Sequence, residues 1–115
     1  MKRLVFLDVE TTGLDPRKGH RIIEIGAVAM ESNQIVDEYQ SLIHVDFPIP
    51  RHISKIHGIT NEMLNDQPGP ENVFPDVKNF ISGSALVTHN AKFDVGFLRS
   101  EFNRLKLNFN NQIFC

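Results

Sequence analysis

Asp8 and Glu10 stand two residues apart at the end of an aliphatic run, Arg3-Leu-Val-Phe-Leu-Asp-Val9. In an extended strand such residues share a face, with Cα atoms roughly 6.6 Å apart. Two ionised carboxylates about 6 Å apart repel by roughly 3 kcal/mol at an effective dielectric near 20, and withdrawal from water adds to the cost. A cation relieves it. Hard oxygen ligands at this spacing suit Mg²⁺ or Mn²⁺, which bind one or two carboxylates together with phosphate oxygens and water. Two blander readings fit an isolated Asp-x-Glu as well: both acids reach solvent, or they pair with Arg17, Lys18 or Arg21. A calcium loop starting at Asp8 would place Glu10, Thr12 and Gly13 suitably, but it meets Gly19 where a bidentate Glu is required.

A third acid lies far away in sequence. On a helical projection Asp94 falls within the apolar arc of Ala91, Val95, Phe97, Leu98, Phe102 and Leu105. Asn90 is a good N-cap, so Asp94 also fits a first-turn acid that complements the positive helix end. The helix follows a short strand, Ala85 to Thr88, which brings Asp94 to a strand-to-helix corner. Three acids then converge on one sheet edge, the part of an α/β sheet where ligands commonly bind. The spacing His89-x4-Asp94 fits a base and carboxylate pair, and equally a buried histidine followed by a capping acid. His57, within Ile56-His57-Gly58, fits either a turn-ordering residue or a ligand contact.

The elements that must position these groups are legible from patterning. Residues 3 to 9 are apolar on both alternating faces, which predicts a central strand covered on both sides. Turn chemistry in Thr11-Thr12-Gly13 and Asp15-Pro16 precedes two further apolar runs, Ile22 to Met30 and Ile35 to Val45. The polar link Glu31-Ser-Asn-Gln34 makes these an antiparallel hairpin within a three-stranded meander. Pro48 and Pro50 open a helical turn through about Ile56, Thr60 caps a short helix with Glu62 and Met63, and a third helix fits Pro70 to Ile81. Ala91 to Leu105 is the strongest helical pattern. The fold class is therefore α/β.

Composition narrows the class. The chain has 115 residues, 12 Lys plus Arg against 14 Asp plus Glu, a formal charge of −2, 41% apolar and 23% charged residues. This is one globular domain, 1–115, without the basic excess of a generally nucleic-acid-binding surface, so any such chemistry must come from a local site. The single cysteine, Cys115, excludes an internal disulfide framework and suits a reducing cytosol. With no apolar run of membrane-spanning length, a cytoplasmic location and no membrane partner are expected. The chain stops inside an apolar run, Ile113-Phe-Cys115, where polar ends are usual, so it is expected to be the N-terminal portion of a larger domain.

Four ordered segments then carry a family resemblance: Leu7-Asp-Val-Glu-Thr-Thr-Gly13, His20-Arg-Ile-Ile-Glu-Ile-Gly-Ala-Val28, Ile56-His-Gly-Ile-Thr60 and Val87-Thr-His-Asn-Ala-Lys-Phe-Asp-Val-Gly-Phe-Leu98. Together they resemble the DEDD 3′–5′ exonucleases of the type with a histidine in the third motif, and among them the proofreading members that serve bacterial replicative polymerases. The resemblance implies a ribonuclease H-like mixed sheet, an antiparallel meander plus a parallel strand, with flanking helices. It implies two divalent ions, Mg²⁺ or Mn²⁺, on Asp8, Glu10 and Asp94, and a terminal-nucleotide pocket formed by Thr11, Thr12, Gly13, His57, Asn90 and Phe93. The implied activity is two-metal hydrolysis of nucleotides from single-stranded or frayed DNA 3′ ends in replication proofreading, beside a DNA polymerase catalytic subunit. RNA or oligonucleotide 3′ trimming and a non-catalytic polymerase-binding role are the alternatives. The family's third motif, a His followed five residues later by an Asp, has no counterpart here because no His follows His89. The C-terminal part of the domain is thus expected to be absent, and the segment alone to be catalytically incomplete.

Overall fold

The computed structural model describes residues 2–115. Strand β1 (Leu4–Thr11) pairs antiparallel with β2 (Ile22–Glu31), and β2 pairs antiparallel with β3 (Gln34–Leu42). On the other side of β1, strand β4 (Ala85–Val87) pairs in parallel and β5 (Ile113–Phe114) pairs in parallel with β4. The order β3-β2-β1-β4-β5 is the mixed, ribonuclease H-like sheet expected. The hairpin turns on Ser32 and Asn33, both at positive φ (52° and 65°), as a two-residue loop between right-twisted strands requires. Helices α1 (Arg51–His57), α2 (Asn61–Leu64), α3 (Pro70–Ile81) and α4 (Ala91–Arg104) follow the expected spans closely.

Three details differ from the sequence reading. β3 ends at Leu42 rather than Val45: Ile43 still donates to the Ile23 carbonyl, but the His44 N–H turns away to the Pro68 carbonyl, 2.9 Å each. A 3-10 turn over Pro16–Lys18, capped by the Asp15 side chain, was not expected. The third concerns β1, whose two faces are unequal. Val5, Leu7 and Val9 are buried beneath α3 and α4 in one core with Val73, Phe74, Leu98 and Phe102. On the opposite face Phe6 is 42% exposed and Phe114 41%. Apolarity on both faces predicted cover on both, but α3 and α4 pack on the same side. Among the described residues, α1 and α2 close only one corner of the other face, around Ile23, Val45, Ile49, Ile59 and Leu64.

That corner exists because the β1–β2 register slips between Glu10 and Thr11: Glu10 faces Glu24, while Thr11 faces Ile22. The extra residue lets Ile22 join the main core while its neighbour Ile23 enters the smaller one. Glu10 therefore sits at a bulge between two cores. No helix among the described residues is long and apolar enough to cross a membrane.

Candidate active site

The segment after Glu10 is tied down by short-range bonds. The Thr12 N–H donates to the Arg21 carbonyl (2.9 Å), and the Arg21 N–H returns to Thr12 Oγ1 (3.0 Å). Thr11 Oγ1 donates to the Gly13 carbonyl at 2.6 Å. Gly13 is required by close approach: a Cβ there would lie 2.3 Å from Nδ1 of His20, whose ring accepts the Asp15 N–H (3.0 Å). Against this segment stands His57. Its Nδ1 accepts the Ile59 N–H at 3.1 Å, which fixes the tautomer, so that Nε2 donates to the Thr11 carbonyl at 3.1 Å. Gly58, at φ 76°, ends α1 and turns the chain so that this reach is possible.

The acids converge from two elements. Asp8 and Glu10 lie on the open face of β1, Asp8 exposed and Glu10 half-buried. Asp94 lies in the first turn of α4, capped by Asn90 Oδ1 accepting the Phe93 N–H (3.4 Å), and is only 5% exposed. Burial, then the charges of Asp8 and Glu10, push its carboxyl up to about 6, with His89 opposing. Glu10 is also raised, by burial first and then by Asp8, with Glu24 across the strand adding and His57 opposing. Among the described residues no cation pairs with any of the three. Arg17 is taken by Asp15 and Arg21 by Glu101, which removes two of the partners considered from sequence, and Lys18 forms no ion pair. Among the described residues no three His, Cys, Asp or Glu side chains stand close enough together to form a ready metal cage. The donor set, three carboxylates without a counter-charge, fits a hard divalent cation.

Glu101 escaped the sequence reading, although it lies seven residues beyond Asp94, two helical turns along the same apolar arc. It is 1% exposed, and it takes a bidentate grip from Arg21 (Nε–Oε2 2.9 Å, Nη2–Oε1 2.6 Å) and the Ile22 N–H (3.1 Å). A lone acid in an apolar arc was the available signal. The pair fixes α4, and with it Asp94, to the strand next to β1.

Glu10, Thr11, Gly13, His57 and Phe93 border one small cleft of about 140 Å³ together with Leu14 and Ile56. Asn90 borders the neighbouring hollow, which shares Phe93. Asp8 borders the shallow depression on the open sheet face, beside Phe6, Val87 and His89. Thr12 borders none of these: it is 1% exposed and its hydroxyl is committed to Arg21.

Residues 5–115 match the RNase T family, described as "Exonuclease". The chain belongs to this exonuclease family. It is 44% identical over 105 residues to the DNA polymerase III subunit epsilon of Rickettsia conorii, covering 90% of this chain and 46% of that protein. The exonuclease chain thus spans about half the length of the curated relatives it matches. Exonuclease X, solved in complex with 5′ overhanging duplex DNA, superposes with a TM-score of 0.74 at 30% identity over 97% of this chain and 58% of its own. The zinc-ion-bound form of E. coli exonuclease I with single-stranded DNA has a TM-score of 0.89 at 16% identity, over 99% of this chain and 28% of its own, a likeness of fold.

Proposed function

We propose that this chain belongs to a two-metal 3′–5′ exonuclease that removes nucleotides from DNA 3′ ends during replication proofreading, alongside a polymerase catalytic subunit. The observation that carries this reading is that Asp8 and Glu10 on β1 and buried Asp94 on α4 lie near enough for their charges to act on one another, with no cation paired to any of them among the described residues. The resemblance of all four motif segments and the relatedness to an epsilon subunit support it.

Asp8, Glu10 and Asp94 would hold Mg²⁺ or Mn²⁺, which when bound supplies a hydroxide at neutral pH and neutralises charge on the departing 3′ oxygen. The protein's own contribution is placement. Phe93 offers a ring face against which a terminal base stacks, and the cleft of Glu10, Thr11 and His57 receives the terminal nucleotide. The Nε2–H of His57, held by the Thr11 carbonyl, orders the cleft wall. A terminal base must leave its stack to enter, which favours frayed or mispaired ends without any readout of sequence.

The test is Mn²⁺ binding by calorimetry, with circular dichroism as the fold control. Asp8→Asn and Glu10→Gln keep the fold and lower Mn²⁺ affinity at least tenfold. The same changes abolish any Mn²⁺-dependent release of 3′-terminal nucleotides from DNA. Unchanged Mn²⁺ affinity in both variants overturns the reading.

A further inference from the structure

We infer that the groove between the Pro16–Lys18 turn and α4 is a track for the sugar–phosphate backbone of the single strand whose 3′ end enters the acidic cleft; this rests on the nuclease reading above for the direction of the strand. The cleft with Glu10 and His57 shares Leu14 and Phe93 with a hollow of about 890 Å³, which in turn shares Pro16, Arg17 and Gly96 with a second hollow of about 480 Å³ further along α4. The three form one continuous path. The two hollows beyond the cleft are lined by the cations Arg17 and Lys18 on the turn and Lys92, Arg99 and Arg104 on the helix, and the only acid lining them is Asp15.

Asp15 is already spent on Arg17, with both carboxylate oxygens 3.2 Å from the guanidinium. Lys18, Lys92 and Arg104 are exposed and form no ion pair among the described residues. Arg99 is held by its guanidinium lying 4.8 Å from the centre of the Phe109 ring, which leaves its charge available to an anion. Lys92 and Arg104 are twelve residues apart on the helix, about 18 Å at 1.5 Å per residue, enough for several phosphates. Gly96 lies between them, and a Cβ built there meets nothing within 4 Å, so the groove floor is open at mid-length. The whole chain carries −2, so with four uncommitted cations gathered here the remaining surface is net acidic and repels a polyanion. A phosphate backbone is therefore drawn to this path and away from the rest of the molecule.

The test reads binding without chemistry: anisotropy of a fluorescein-labelled dT oligonucleotide in EDTA, across KCl concentrations. At a slope near −0.7 per phosphate contact, four contacts weaken binding roughly 50-fold between about 50 and 200 mM salt; Lys92→Gln or Arg104→Gln reduces that to roughly 20-fold, and the double variant to roughly 7-fold. Gly96→Glu, whose side chain enters open space, weakens binding while leaving the melting temperature near that of the wild type. Lys78→Gln on α3 leaves the slope unchanged. Slopes that do not respond to the groove variants, an equal response to Lys78→Gln, or no measurable binding at low salt would each overturn the track. The Mn²⁺ titration separates the two readings: intact metal binding with an unresponsive slope removes only the track, and a responsive slope without metal binding removes only the nuclease assignment.

Discussion

The guanidinium of Arg21 and the carboxylate of Glu101, 80 positions apart in sequence, meet in a bidentate pair with a shortest distance of 2.6 Å, where the Glu101 side chain is 2% exposed and that of Arg21 18%. The Arg21 backbone is bonded in both directions to Thr12, so one contact joins the helix of Asp94 to the segment that follows Glu10. The relative placement of the acids depends on it.

Glu101→Gln keeps the shape but leaves the Arg21 charge nearly buried without a counter-charge, and an expected loss of about 3–5 kcal/mol follows. Arg21→Lys loses the fork geometry and costs less. Urea denaturation measures both. A Glu101→Gln midpoint equal to that of the wild type would show that the pair contributes nothing to stability.

Gly13→Ala drives a methyl group into the His20 ring and displaces the acceptor of the Asp15 N–H. Overpacking of this kind costs about 1–3 kcal/mol. The double change Gly13→Ala with His20→Ala removes the colliding ring and recovers part of the loss. Thermal melts of the single and double variants check this, and the absence of any recovery would locate the clash elsewhere.

Asp94 has its carboxyl raised from an ordinary 3.8 to about 6 in the folded chain. Between those values the folded state keeps a proton that the unfolded state has lost, so stability falls as pH rises through this window, by about 1–3 kcal/mol, when no divalent ion is added. Asp94→Asn flattens that profile, raising the melting temperature at pH 7.5 and changing it little below pH 4. Protons and cations compete for the same oxygens, so Mn²⁺ affinity falls as pH drops through about 6. Melts and calorimetry across pH measure the two effects. A wild-type profile as flat as that of the variant would refute the mutual influence of the three acids.

Much of the fold is legible because local rules decide it. Hairpin chemistry at Ser32-Asn33, the Asn90 cap and the amphipathic Pro70–Ile81 helix each depend on neighbours in sequence, and each forms where patterning places it. The cover over β1 follows a different logic. Apolar residues at Phe6 and Leu7 look alike in sequence, yet one is 42% and the other 4% exposed, because the choice of face belongs to α3 and α4, more than sixty residues away.

By itself the sequence determined the types of chemistry available: three acids on a strand and a helix start, a glycine turn between them, and four segments in the order of an exonuclease family. The tertiary structure alone decided their company. It placed Arg17 with Asp15 and Arg21 with Glu101, so that no cation reaches Asp8, Glu10 or Asp94 among the described residues, and it aligned scattered lysines and arginines along one groove. The physical reason is range. Propensity and periodicity act over a few residues of backbone, whereas the pairing of charges is set by distance in space, which exists only once the strands and helices have packed.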